Sequence, residues 1–164
     1  MFEGIMIVLS FCEEGKERIL TLKNDIAVAN LMIANRDRIS SFHSGKPALT
    51  NKFLSRLAVE CFWINSKDHL IELAADFETL KQSLPPDGPS INRVRLDNAY
   101  YGQLQITAAH ILQIYDIHIS TPNAFRLAHL ELKRTPRKTI EHRIHIANLL
   151  EDNALPPENI IRML

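Results

Sequence analysis

Residues 85–90 read PPDGPS, and this stretch decides how the rest of the sequence is divided. Three prolines and one glycine within six residues exclude a helix here, because proline lacks a backbone N–H and blocks the preceding turn. We predict a loop between two halves of one domain that spans residues 1–164. Each half has roughly 80 residues, which is few for a hydrophobic core of its own.

Apolar residues before this loop recur every three or four positions, which is the spacing of a helix that buries one face. The spacing predicts a first long helix that begins after Gly15 and ends near His43. Because its apolar stripe is wide, we expect this helix to be central and to contact neighbours on two sides. The stripe consists of Ile19, Leu22, Ile26, Ala29 and Ile33, and it is widened by Val28, Leu31 and Met32.

The same spacing continues through most of the remaining chain and predicts a mainly α protein, a single compact bundle of six to seven helices. Strand-like stretches are short and predict at most a minor short β element near residues 5–9 and 117–119. Threonine-proline pairs at two positions are typical of helix starts, with threonine as the N-cap. The later helices are predicted over residues 48–65, 66–84 and 100–115, from Thr121-Pro122, from Thr135-Pro136 and, as a short terminal helix, from Pro156.

Charge and composition exclude several classes of function. The chain has 19 Lys and Arg against 19 Asp and Glu, so it lacks the positive field of a typical nucleic-acid or acidic-membrane binder. Five glycines among 164 residues argue against a glycine-rich nucleotide loop. Neutral net charge also limits solubility and favours a bound protein partner or self-association.

The N-terminal sequence bears on location. The apolar run from Ile5 to Cys12 is short and follows Glu3 rather than the lysine or arginine of a secretory signal. No apolar run approaches the ~20 residues that span a bilayer. We therefore expect a cytoplasmic protein with reduced cysteines and no membrane contact, and delivery into another cell as an effector stays open.

Residues 36–43, RDRISSFH, place two arginines and a histidine at the end of the first predicted helix. The spacings Arg36 to His43 and Arg38 to His43 resemble the arginine-histidine signature of HEPN ribonucleases, as does Arg137 to His142. The resemblance implies a metal-independent endoribonuclease in which arginine holds the phosphate and histidine acts as acid or base. The alternative for residues 36–43 is a solvated helix end, where cations suit the helix dipole.

The segment from Arg126 to Arg143 carries a local charge of +4 and forms a second alternative. A short turn between two helices with a basic N-terminus resembles a helix-turn-helix, which would bind nucleic acid through phosphate contacts. A solvated loop explains the same residues. The candidate contacts are Lys133, Arg134, Arg137 and Lys138.

Metal, cofactor and thiol chemistry find little support in the sequence. His142 and His145 lie three residues apart on one helix, but a zinc site needs further ligands, and no HExxH or CxxC motif supplies them. Cys61 falls on the apolar stripe of its helix and is expected to pack in the core. We therefore predict no metal and no cofactor.

Tyr100 and Tyr101 follow the proline-rich loop and should point about 100° apart on a helix, one toward the core and one toward the surface. An exposed tyrosine is a good interface anchor. Because no catalytic motif rises above chance, we expect a non-enzymatic helical interaction protein of the effector, inhibitor or adaptor type. The two tyrosines and the basic turn are its candidate contacts with another macromolecule.

Overall fold

The computed structural model of the chain describes residues 16–151. The β element predicted at residues 5–9 and the short helix predicted from Pro156 lie outside this range. Within it, the chain forms six helices and a two-stranded antiparallel sheet. The elements are β1 (Glu17–Asp25), α1 (Ile26–Ser40), α2 (Asn51–Cys61), α3 (Lys67–Ser83), β2 (Ile91–Asp97), α4 (Asn98–Tyr115), α5 (Thr121–Arg134) and α6 (Arg137–Glu151).

The mainly α class with a minor β element is confirmed, and residues 85–90 form a loop between α3 and β2. The Gly88 N–H donates to the Pro85 carbonyl at 3.3 Å, which closes a turn. Apolar residues from both sides of this loop pack in one core cluster. None of the helices within residues 16–151 is both long enough and apolar enough to cross a bilayer.

The predicted first helix is wrong over residues 17–25, which form β1. Leu20 and Leu22 are buried on one side of this strand, whereas Ile19 on the other side is 53% exposed. A period of two therefore governs this segment, and the three-residue spacing of Ile19 and Leu22 is coincidental. Tertiary pairing with β2 overrides the local pattern.

Helix α1 begins only at Ile26, and its buried face coincides with the predicted stripe at Ala29 and at the widening residues Val28, Leu31 and Met32. Asp25 caps the helix by accepting from the Val28 N–H at 2.9 Å. Ile33 is exposed, because the face turned to the core lies elsewhere on the helix. That face consists of Ala27, Val28, Ala29, Leu31, Met32, Asn35 and Ile39.

The sheet joins the two sides of the proline-rich loop. Leu20 pairs with Val94, and Ile19 pairs with Arg95 on the outer face. The register shifts between Thr21 and Asp25, where Lys23 and Asn24 adopt left-handed φ angles of 55° and 53°. This shift turns the chain from β1 into α1.

No strand forms at residues 117–119, contrary to the prediction. Ile117 and Ile119 are half-buried and His118 is exposed, so the alternation is real. A strand also needs a hydrogen-bonding neighbour, and this segment is an irregular connection that follows the left-handed Asp116. Alternation of apolar and polar residues is therefore not enough to form a strand at residues 117–119.

Helix α5, rather than the first predicted helix, is the centre of the fold. It contacts α1, α2, α3 and α4 as well as β1. Phe125, Ala128 and Leu132 are fully buried, as the sequence predicts. Both threonine-proline predictions are displaced, because Ser120 caps α5 at its start and Thr135 ends it, leaving α6 to begin at Arg137.

Candidate functional site

The side chains of the RDRISSFH segment hold the backbone of neighbouring elements. Arg36 donates through Nε to the Leu49 carbonyl at 3.0 Å and also donates to the Asn51 side chain. His43 Nε2 donates to the Pro47 carbonyl at 3.0 Å. Both residues therefore fix the connection between α1 and α2.

Arg38 caps the end of α5. Its guanidinium donates to the carbonyls of Leu132 and Lys133 at 3.1 Å and to that of Thr135 at 2.5 Å. The last carbonyls of a helix lack partners within the helix, so a cation with several donors stabilises them. Arg38 therefore stabilises a helix C-terminus, but that of α5 rather than that of its own helix α1.

The second arginine-histidine pair is separated around the axis of α6. Arg137 bonds Glu141 at 2.7 Å, and its guanidinium lies 4.9 Å from the centre of the Phe42 ring. His142 is exposed, and a separation of five residues turns it about 140° from Arg137. The two side chains therefore start from different faces of the helix.

Much of the positive charge around the α5–α6 turn is paired with carboxylates. Arg126 bonds Asp25 at 2.5 Å, Arg134 bonds Asp76 and Arg137 bonds Glu141. Lys133 and Lys138 are exposed. Pairing reduces the local field with which this turn would attract phosphates.

The two tyrosines differ in exposure, although Tyr101 also packs against the core cluster. Tyr100 is 5% exposed, and the Arg56 guanidinium lies 5.2 Å from its ring centre. Burial by itself would lower the pKa of Arg56, but the neighbouring Glu60 carboxylate outweighs it and raises the pKa. Tyr101 is half-buried beneath Arg18, whose guanidinium lies 4.7 Å from its ring centre.

The seven histidines lie in separate environments. His69 uses both ring nitrogens, accepting from the Asn65 N–H at 3.2 Å and donating to Glu131 at 2.8 Å, so it ties α3 to α5. His129 is fully buried, and His145 is exposed on α6. Over residues 16–151, no three His, Cys, Asp or Glu side chains lie close enough together to hold a metal ion. Cys61 is half-buried and in no disulfide with the described residues.

The sequence reasoning missed a surface on α4. This helix of 18 residues contains no Asp, Glu, Lys or Arg. Ile106, His110 and Ile114 are spaced by four residues and share one side of it. Ile106 is 38% and Ile114 57% exposed, although both are apolar.

Trp63 extends this surface from the connection between α2 and α3. It is 50% exposed, and its ring stacks on that of His110 with centres 5.3 Å apart and an interplanar angle of 26°. The Tyr115 hydroxyl donates to the Ile64 carbonyl at 3.4 Å, which holds this connection against α4. We call the surface formed by Trp63, Ile106, His110 and Ile114 the α4–Trp63 face.

The absence of charge on α4 is the signal from which this face was predictable. The exposed sides of α3 and α6 carry lysine, arginine, aspartate and glutamate, as solvated helices do. Comparisons of the chain with protein-family profiles, curated proteins and solved structures find no match.

Proposed function

We propose that this protein is a non-enzymatic interaction protein that binds another protein through the α4–Trp63 face. The supporting observation is an uncharged helix that leaves two isoleucines and a stacked tryptophan in solvent. Centres of protein interfaces are depleted of charge and enriched in aromatic residues, and tryptophan is among the commonest residues that dominate binding energy.

The chemistry of the face specifies its partner. Lysine or glutamate placed against Ile106 and Ile114 would lose water without gaining an opposite charge, which is costly. A complementary surface is therefore apolar where it covers the isoleucines and Trp63. We expect an amphipathic helix of another protein, laid along α4 with its apolar side inward.

The ribonuclease and nucleic-acid alternatives have weaker support. Arg36, Arg38 and His43 donate to backbone carbonyls, so these contacts would have to break before the side chains could bind RNA. The paired arginines near the α5–α6 turn likewise have carboxylate partners. Among residues 16–151, the side chains of the α4–Trp63 face have no comparable hydrogen bonds or ion pairs, apart from the Trp63–His110 stack.

A photo-crosslinking experiment in the native cell tests this proposal. Benzoylphenylalanine at position 114 should give a discrete crosslinked product. The mass of this product should differ from that of two copies of the chain. The same group at position 82 of α3, which is exposed and polar, is the matched control. Ile106→Glu should abolish the product, because the charge would be buried in the interface.

Three results would contradict the proposal. The crosslinker at position 114 could give no product, or position 82 could give the same product. A product of twice the chain mass would instead show self-association through this face. Because Ile106 is already partly exposed, Ile106→Glu should fold normally, which circular dichroism verifies.

A further inference from the structure

A groove elsewhere on the surface is lined by none of the residues of the α4–Trp63 face. It has a volume of about 660 Å³ and lies between the end of β1, the start of α1, α3 and the segment leading into α5. This volume is within the range of roughly 300–1,000 Å³ that is typical of sites for small ligands.

The floor of the groove is apolar. Leu70 and Phe77 contribute from α3, and Leu127 contributes from α5; all three belong to the buried core. Ile117 and Ile119 of the α4–α5 connection close one side. An apolar part of a ligand would therefore be removed from water here, which favours binding in proportion to the buried area.

The rim carries lysines that lack carboxylate partners. Lys23 and Lys81 line the groove, are exposed, and form no ion pair with any residue between 16 and 151. The left-handed conformation of Lys23, with φ of 55°, places it in the irregular end of β1. His118 adds a third basic group at the rim.

The acidic residues of the groove do not cancel these lysines. Asp25 is committed to Arg126 at 2.5 Å and to the Val28 N–H at 2.9 Å. Arg126 also donates to Asn123 at 2.7 Å and to the Leu22 carbonyl at 3.3 Å, so this cluster is satisfied internally. Glu78 is the other acid that lines the groove. Lys23, Lys81 and Arg126 against Asp25 and Glu78 leave a net charge of +1 along the groove, which favours an anion.

Two helices begin at this groove, and their N-terminal ends also favour a bound anion. Ile26 and Ala27 of the first turn of α1 line it, and so does Asn123 of the first turn of α5. Helix N-termini carry partial positive charge and stabilise nearby anions. Here they supplement the lysines and the apolar floor, which define the site.

We infer that this groove binds a small amphipathic carboxylate, with its apolar part on the Leu70–Phe77–Leu127 floor and its carboxylate between Lys23 and Lys81. The site is separate from the α4–Trp63 face and does not depend on the function proposed for that face. It gives the protein a ligand-binding activity in addition to protein binding.

Decanoate titrated into the full chain by calorimetry, with ¹⁵N shifts to locate it, tests the inference. Decanoate should bind and shift the amides of residues 22–27 and 70–81. Lys23→Ala/Lys81→Ala should weaken binding by about tenfold or more, because two charge-assisted contacts are lost. Lys67→Ala removes the same charge from α3 outside the groove and should leave the affinity unchanged.

A second variant tests the cavity separately from the charge. Ala74 is exposed on α3 and lines the groove, so Ala74→Trp should fold normally and occupy the space for the ligand. It should abolish binding. Decanol and decyltrimethylammonium, which have the same chain without the negative charge, should bind about tenfold more weakly than decanoate.

The inference is overturned if wild-type protein does not bind decanoate, or if the shifts lie outside the groove. Equal affinity of wild type and the double lysine variant for decanoate would show that Lys23 and Lys81 do not bind its carboxylate. Equal affinity for decanoate and decyltrimethylammonium would show binding by chain length alone. None of these results would bear on the crosslinking test of the α4–Trp63 face.

Discussion

At the scale of single residues, most of the chemically suggestive side chains serve the backbone or each other. Arg38 satisfies three carbonyls at the end of α5, and His43 holds the Pro47 carbonyl. An arginine has the same donors whether it meets a phosphate or a helix terminus. Sequence spacing could identify these residues as special, but it could not distinguish the two partners.

His129 is the residue whose environment departs furthest from expectation. It is fully buried on α5, with its Nε2 3.4 Å from the Ser55 hydroxyl and its ring edge-on to Phe125. Its Nδ1 and the Asn35 Oδ1 have no hydrogen-bonding partner within residues 16–151. Burial lowers the pKa of His129 from 6.5 to about 3, because the protonated ring would lose its hydration.

Acid should therefore destabilise the protein through His129. The unfolded chain binds a proton at this residue below pH 6.5, whereas the folded chain does so only below about pH 3. Its contribution to the free energy of unfolding is fully present above pH 6.5 and falls as the pH drops toward 3. Between pH 7 and pH 5 the loss is about 2 kcal/mol. Urea unfolding at a series of pH values measures it.

The comparison with two variants isolates this effect from that of the carboxylates. His129→Leu should flatten the dependence of stability on pH between 7 and 5 by about 2 kcal/mol. His145→Gln removes an exposed histidine of α6 and should retain the wild-type dependence. Parallel pH profiles for wild type and His129→Leu would refute the assignment.

At the scale of elements, local pattern and tertiary pairing disagree at the sheet and at residues 117–119. Helices α2, α3 and α4 form close to where their periodic apolar residues predict. The strands of the sheet are some 70 residues apart in sequence, so their pairing is invisible to any local window. The alternation of Val94 and Leu96 with Arg93 and Arg95 nevertheless indicates a strand, and β2 was predictable from it.

Adjacent substitutions in β1 test the strand against the helical stripe. Leu20→Ala should lower the free energy of unfolding by about 2–5 kcal/mol, because it removes a buried side chain from the core. Ile19→Ala should change it by about 0.5 kcal/mol or less, because Ile19 points to solvent. Chemical denaturation measures both values. A larger loss of unfolding free energy for Ile19→Ala than for Leu20→Ala would support a helix that buries Ile19 instead of the strand.

At the scale of the whole molecule, the proline-rich loop separates the sequence without separating the core. The core cluster contains Leu54 and Leu73 from before the loop and Leu104 and Phe125 from after it. Helix α5 contacts elements on both sides. Neither half would bury its apolar faces alone, which is the physical basis of the one-domain prediction.

Thermal unfolding should therefore be a single cooperative transition. The only tryptophan, Trp63, lies before the loop, so its fluorescence reports on the first half, while far-UV circular dichroism reports on all helices. The two signals should change with the same midpoint. A Trp63→Phe/Tyr101→Trp variant moves the probe beyond the loop and should melt at the same temperature as its circular dichroism. Two separate midpoints would refute one-domain folding.

The mainly α class, the loop at residues 85–90 and most of the buried helix faces were predictable from the amino-acid sequence alone. These features follow from local rules, since helix hydrogen bonds and turn residues act within a few positions. Three features depend on tertiary packing instead: residues 17–25 form a strand, α5 is central, and Arg38 and His43 donate to backbone carbonyls. Tertiary packing also brought together Trp63 with α4 and Lys23 with Lys81, because those meetings join residues distant in sequence, whose proximity depends on how the helices pack.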